Sequence, residues 1–220
     1  MEAKIRKNRY LETVRYKYLS TPIVDNIVDK PQKLGVSFLT FAPIIKCLPM
    51  RVYLVGYMSA GKSTTAKRLA NKLGMEAYDT DRLFEERFHI TVNDFFQKYD
   101  EPLYRKLETQ ILHDTLAFDN AVIATGGGTA CFNDNMEWMN QNGFTVFLKI
   151  SPQSALMRLS QSKVRRPKVY GKSPEELEVF IRHNYTERMP FYEKAMLTVK
   201  AEDLDLESLA TAVRTNNPLF

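Results

Sequence analysis

The chain has 220 residues, 44% hydrophobic and 26% charged, an ordinary soluble globular composition with enough apolar material for one sizeable core. Its formal net charge of +5 resides in residues 1–49, where nine Lys/Arg stand against four Asp/Glu; residues 50–220 balance at 22 of each sign, so the main body is not expected to bind nucleic acid. Two cysteines, Cys47 and Cys131, argue against a disulfide framework and suit a reducing cytosol, and the longest apolar stretch (34–45) is too short and too interrupted by Pro43 to span a bilayer.

Residues 1–49 show modest helical character around 3–19 and no repeat. That apolar stretch lies too far from the N-terminus for a signal peptide, and Glu2, Glu12, Asp25 and Asp29 count against a transit peptide. The segment reads as an N-terminal extension without a catalytic role; a regulatory or partner-binding arm is the alternative. From Met50 the pattern becomes regular. Strand-like runs occur at "RVYLV" (51–55), "MEAYD" (75–79), "AVIAT" (121–125), "FTVFLKI" (144–150) and, more weakly, "MLTVK" (196–200). Helical spacing fills the gaps, as in Ala66, Leu69, Ala70 and Leu73 with Gly74 as the stop. Strands alternating with helices imply parallel βαβ units and a layered α/β sheet, whose ligands lie at the carboxyl ends of the strands.

Two regions interrupt the alternation. Helical stretches beginning near Asp81, Thr91 and Glu101 are too long for a plain crossover and suggest a small subdomain at about 81–117. The polar, basic "SQSKVRRPKVYGKS" (160–173) reads as a lid between two helices, the second opened by a Ser173 cap, Pro174 at its first position and Glu176 closing a capping box.

The most specific motif is "GYMSAGKS", residues 56–63, running from a strand into a helix. Gly56 and Gly61 permit a tight path whose backbone N–H groups cradle phosphates, Lys62 can reach the β- and γ-phosphates, and the Ser63 hydroxyl can ligate Mg²⁺. A nucleoside triphosphate site is therefore expected. "DTD" follows the second strand; in an extended segment Asp79 and Asp81 project to one side, one towards a metal and the other towards an acceptor hydroxyl as base. Asp81 can also cap the following helix. Arg105 and Glu108 fall at i and i+3, where the acid can orient the guanidinium, although such a pair alone is commonplace. Arg188 in "TERMPFY" supplies a second fork suited to a carboxylate. Two arginines beside an acidic base suggest an acceptor carrying both carboxylate and hydroxyl. Three glycines, Gly126–Gly128, close the third strand and let a ligand approach the backbone.

Taken in order and at these spacings, "GYMSAGKST", "DTD", "YRKLE", "GGG", "RRP" and "RMPFY" resemble the shikimate kinase family across residues 50 to about 215. The resemblance implies a three-layer αβα P-loop kinase of the nucleoside-monophosphate-kinase type, with a five-stranded parallel sheet, a substrate-binding subdomain and a lid. It implies transfer of the ATP γ-phosphate to the 3-hydroxyl of shikimate, towards chorismate and the aromatic amino acids, with Mg²⁺; the chain is expected to be a cytoplasmic monomer that takes no nucleic-acid or membrane partner. Carried over motif by motif, Ser59, Ala60, Gly61, Lys62, Ser63 and Thr64 hold phosphates, with Ser63 and Asp79 at the metal. Asp81 binds the acceptor hydroxyl and is the candidate base. Arg105 and Arg188 clamp the carboxylate, Glu108 orients Arg105, and Gly127 and Gly128 meet the ring hydroxyls. Arg166, or its neighbour Arg165, closes from the lid, and Arg158 lies near the adenine. Two departures stand out: the lid reads "RRPKV" where arginine, proline and two leucines are common, and "AEDLD" after the last strand is acidic where some members are basic or polar. A gluconate kinase and a nucleotide-binding module without turnover are the rival readings.

Overall fold

A computed structural model describes residues 50–161 and 171–216. The elements are β1 (Arg51–Val55), α1 (Lys62–Leu73), β2 (Glu76–Asp79), α2 (Thr80–Phe88), α3 (Val92–Lys98), α4 (Glu101–Asp114), β3 (Ala121–Ala124), α5 (Asn135–Asn142), β4 (Phe144–Lys149), α6 (Pro152–Ser160), α7 (Pro174–Tyr192), β5 (Leu197–Lys200) and α8 (Leu206–Asn216). Short 3₁₀ turns follow α4 (Thr115–Ala117) and the triple glycine (Thr129–Cys131).

All five strands are parallel, in the order β2-β3-β1-β4-β5. The three central strands are mostly apolar because both their faces are covered: Val52, Leu54, Val122, Ile123, Val146 and Phe147 are all fully buried. This is the expected α/β architecture with helices against a five-stranded parallel sheet. The edge strands β2 and β5 are half-exposed, which is why β5 gives only a weak signal in the sequence. Their bounds are also a residue narrower than the apolar runs suggest. Before β2, the Met75 amide is still occupied with the Ala70 carbonyl, closing α1 behind Gly74 in the left-handed region at φ 68°.

From β3 the chain crosses to β4 on the far side of β1, so the strand order reverses beside β1, and the β1–α1 loop emerges there. Helices α2, α3 and α4 hold a core of their own: Phe84, Phe95, Tyr104 and Ile111 are nearly inaccessible and Phe88, Phe96 and Leu107 pack against them. Each helix has a side-chain cap, from Asp79, Thr91 and Asp100 respectively. The capping box at Ser173 and Glu176 opens α7 as expected. Among the described residues no helix is long and apolar enough to cross a membrane.

The geometry of "DTD" differs from the expectation. Asp79 ends β2 and caps α2, accepting from the amides of Asp81 (3.0 Å) and Arg82 (3.4 Å), so Asp79 rather than Asp81 is the cap. Asp81 already lies in the first helical turn, and the shared side of an extended segment does not apply to the pair. The physical reason is the carboxylate itself, which satisfies two helix N-terminal donors and so starts the helix one residue after the strand.

Candidate active site

The phosphate loop works through its backbone. Gly56 leaves β1 at φ 142°, where an added Cβ would stand 2.6 Å from the Leu148 carbonyl oxygen, so a side chain is excluded on both counts. Gly61, at φ 89°, precedes α1; no side chain caps that helix and its first turn carries no acid. Amide donors and the positive end of the helix dipole are thereby left to an anion. The Lys62 ammonium is buried and donates to the carbonyls of Gly56 (2.8 Å) and Tyr57 (3.0 Å), folding back over the loop. Ser63 is exposed at the start of α1. Arg158, on α6, donates to the Ser59 carbonyl (3.2 Å) and brings another cation against the loop.

The expected acceptor residues depend on buried charge. Arg105, 8% exposed, donates from Nη1 to Glu108 Oε2 (2.7 Å) and from Nη2 to Glu101 Oε1 (2.8 Å), and its guanidinium lies 4.2 Å from the centre of the Phe132 ring. Burial opposes its charge, but Glu108 and then Glu101 outweigh burial and raise its pKa above the ordinary arginine value. The other Glu108 oxygen accepts from the Thr129 hydroxyl (2.6 Å), so the carboxylate is held at both ends and Arg105 cannot swing. Arg188, 6% exposed, donates to the Gly127 carbonyl (3.0 Å).

The triple glycine joins these groups. A Cβ on Gly126 would lie 2.8 Å from both Asp81 Oδ1 and Glu108 Oε1, and one on Gly128 2.8 Å from both terminal nitrogens of Arg105. One on Gly127 would press on the Met58 amide of the phosphate loop at 3.3 Å. The missing side chains are therefore room for the carboxylates, the guanidinium and the neighbouring loop. The Gly126 amide donates to the Thr80 hydroxyl (3.0 Å), which ties the turn to α2 just before Asp81.

Asp81, Arg105, Glu108 and Arg188 thus converge on one three-residue turn beside the phosphate loop. Arg165 and Arg166, expected in a lid, lie outside the described residues. Five participants escaped the sequence reading: Thr80 and Thr129, which anchor the turn; Tyr57 and Tyr192, which pack around Arg188; and the Tyr104 hydroxyl. Burial foremost, then Glu108 and Asp81, pushes that hydroxyl far above its ordinary pKa, so it stays protonated next to the acids. Four of them lie inside the motifs quoted above, and Thr129 directly follows the glycines, but none carried a role in the sequence.

For Mg²⁺, the oxygen donors of Ser63 and Asp79 are of the right chemical type, hard and few, leaving the remaining positions to water and phosphate. Asp79 commits Oδ1 to the α2 amides, so its other oxygen is the one suited to the ion. Among the described residues no group of three or more His, Cys, Asp or Glu is placed to hold a metal unaided.

A family model for shikimate kinase matches residues 58–215. The chain belongs to the shikimate kinase family. The shikimate kinase of Parabacteroides distasonis is 44% identical over 158 residues, covering 72% of this chain and 91% of that protein. The crystal structure of shikimate kinase from Bacteroides thetaiotaomicron superposes with a TM-score of 0.71 at 41% identity, covering 76% of this chain and 98% of the other. That of the Acinetobacter baumannii enzyme in complex with shikimate gives 0.70 at 31% identity over 81% and 99% of the two chains. An ATP-dependent small-molecule kinase is the enzyme class these relatives and the phosphate loop define together.

Proposed function

We propose that the chain transfers the γ-phosphate of ATP to the 3-hydroxyl of shikimate, yielding shikimate 3-phosphate and ADP, with its residues divided between the two substrates as follows. The observation that carries the reading is the convergence of two buried arginines and Asp81 on Gly126–Gly128 next to the phosphate loop. The amides of residues 59–64 and Lys62 hold the phosphates, Lys62 exchanging its two carbonyl partners for phosphate oxygens. Arg105 and Arg188 take the acceptor carboxylate as bidentate forks, and Glu108 keeps Arg105 aligned. Gly127 and Gly128 admit the ring to the backbone. Asp81 accepts the proton of the attacking hydroxyl as its oxygen bonds to the γ-phosphorus and the bond to the bridging oxygen of ADP breaks. Ser63 and Asp79 hold Mg²⁺, which when bound neutralises phosphate charge. Arg158 serves the nucleotide side, and Arg166 of "RRP" the transferring phosphate. The kinase domain spans 50–220, with 1–49 as an accessory; a cytoplasmic monomer suits this reading.

The test is ADP release with Mg·ATP and shikimate, gluconate or no acceptor, for the full chain. Turnover with shikimate alone is expected. Equal turnover with gluconate, or none with either acceptor while ATP still binds, overturns the assignment.

A further inference from the structure

Arg188 belongs to α7, far in sequence from the phosphate loop, yet two buried tyrosines fix its position. Tyr192, one helical turn on, is fully buried; its hydroxyl donates to the Gly127 carbonyl that Arg188 also uses, and its ring stacks on Phe147 of β4 with centroids 5.2 Å apart. Tyr57, the second residue of the phosphate loop, is also fully buried, and the Arg188 guanidinium lies 5.9 Å from its ring centre. The Tyr57 ring packs edge-on against Tyr185 at 5.4 Å, and its hydroxyl donates to Asn184 Oδ1 (3.3 Å), so it is keyed to the stretch of α7 preceding Arg188. Its carbonyl accepts from Lys62. Burial pushes the Tyr57 hydroxyl up to about 12 against the opposing effect of Arg188, and raises that of Tyr192 still further, so both remain neutral donors throughout the working pH range.

A guanidinium on a flexible stem must be immobilised before it can receive a carboxylate with little entropic loss. A face from the phosphate loop and a shared backbone acceptor do this for Arg188. We propose that Tyr57 and Tyr192 are positioning residues that hold Arg188 in its carboxylate-binding pose, and that Tyr57 thereby makes acceptor affinity depend on a residue of the phosphate loop. The inference rests on the reading of Arg188 as an acceptor ligand, and the experiment separates the two.

Steady-state kinetics of the full chain with shikimate and Mg·ATP are measured for Arg188→Gln, Tyr192→Phe, Tyr57→Leu, Tyr57→Phe and the combination of Arg188→Gln with Tyr192→Phe. Arg188→Gln is expected to raise the KM for shikimate by about 10²-fold or more. Tyr192→Phe and Tyr57→Leu are each expected to raise it about three- to tenfold, with kcat and the KM for ATP moving less than about twofold. Tyr57→Phe, which keeps the ring under the guanidinium, should restore most of the loss caused by Tyr57→Leu. In the Arg188→Gln background Tyr192→Phe should add less than about twofold, since the guanidinium it positions is gone. An unchanged KM for shikimate in Tyr192→Phe or in Tyr57→Leu overturns the inference, as does an undiminished effect in the Arg188→Gln background or an equal rise in the KM for ATP. If Arg188→Gln itself leaves the KM for shikimate unchanged, the acceptor-site reading fails first and the inference falls with it.

Discussion

The phosphate loop occupies eight consecutive residues, Gly56–Ser63, whereas the proposed acceptor side gathers Asp81, Arg105, Glu108, Gly126–Gly128 and Arg188 from separated segments. The first presents mainly backbone: left-handed glycines and a helix start without a cap. Its donors are in place once β1 and α1 form. The second presents buried side-chain charges, and each needs a partner to remain buried, so Arg105 has Glu108 and Glu101, and Glu108 has Thr129. A backbone site therefore tolerates change around it, while an assembled one couples its stability to its function.

Replacement of Asp81 by asparagine should divide the halves most sharply. Turnover is expected to fall about 10²–10⁴-fold, the range of a lost general base, while ATP affinity by calorimetry stays near wild type. An equal loss of ATP binding would mean that the halves are not separable. Next comes Glu108→Ala, which strips Arg105 of its most buried partner. Chemical denaturation should show a loss of about 3 kcal/mol and kinetics a raised KM for shikimate, because one group serves both fold and function. A variant destabilised but kinetically normal would show that Glu108 does not orient Arg105. Gly126→Ala sharpens the contrast on steric grounds: its Cβ would meet Asp81 and Glu108 at 2.8 Å, so the KM for shikimate should rise about tenfold through displaced charged groups with ATP affinity intact. The smallest effect belongs to Ser173→Ala, which removes the α7 cap at a cost of about 1 kcal/mol in stability and should leave both KM values unchanged. A shifted KM for shikimate there would show that the start of α7 controls Arg188 at its far end.

These constructions also account for what could be read in advance. The phosphate loop was legible because contiguous residues encode a contiguous backbone path, and the central strands because burial on both faces leaves a mostly apolar run. Arg105, Glu108 and Arg188 could be named from their motifs, but the meaning of Gly126 and Gly128 as space for Asp81, Glu108 and Arg105 could not. Nor could the cap at Asp79, since Asp79 and Asp81 stand equally well placed in the sequence to start α2. Tyr57 and Tyr192 fall within "GYMSAGKST" and "RMPFY", but nothing in the sequence assigns either a role until α7 is laid against the loop.

Sequence by itself determined the alternation of strands and helices, the phosphate-binding backbone and the charge types required by a carboxylate-bearing acceptor, because these follow from local spacing and side-chain chemistry. Tertiary structure alone decided which charges share a partner, which glycines give way to them and which tyrosines hold Arg188. Those properties belong to contacts between residues brought together only when β3, α4 and α7 meet at the carboxyl edge of the sheet.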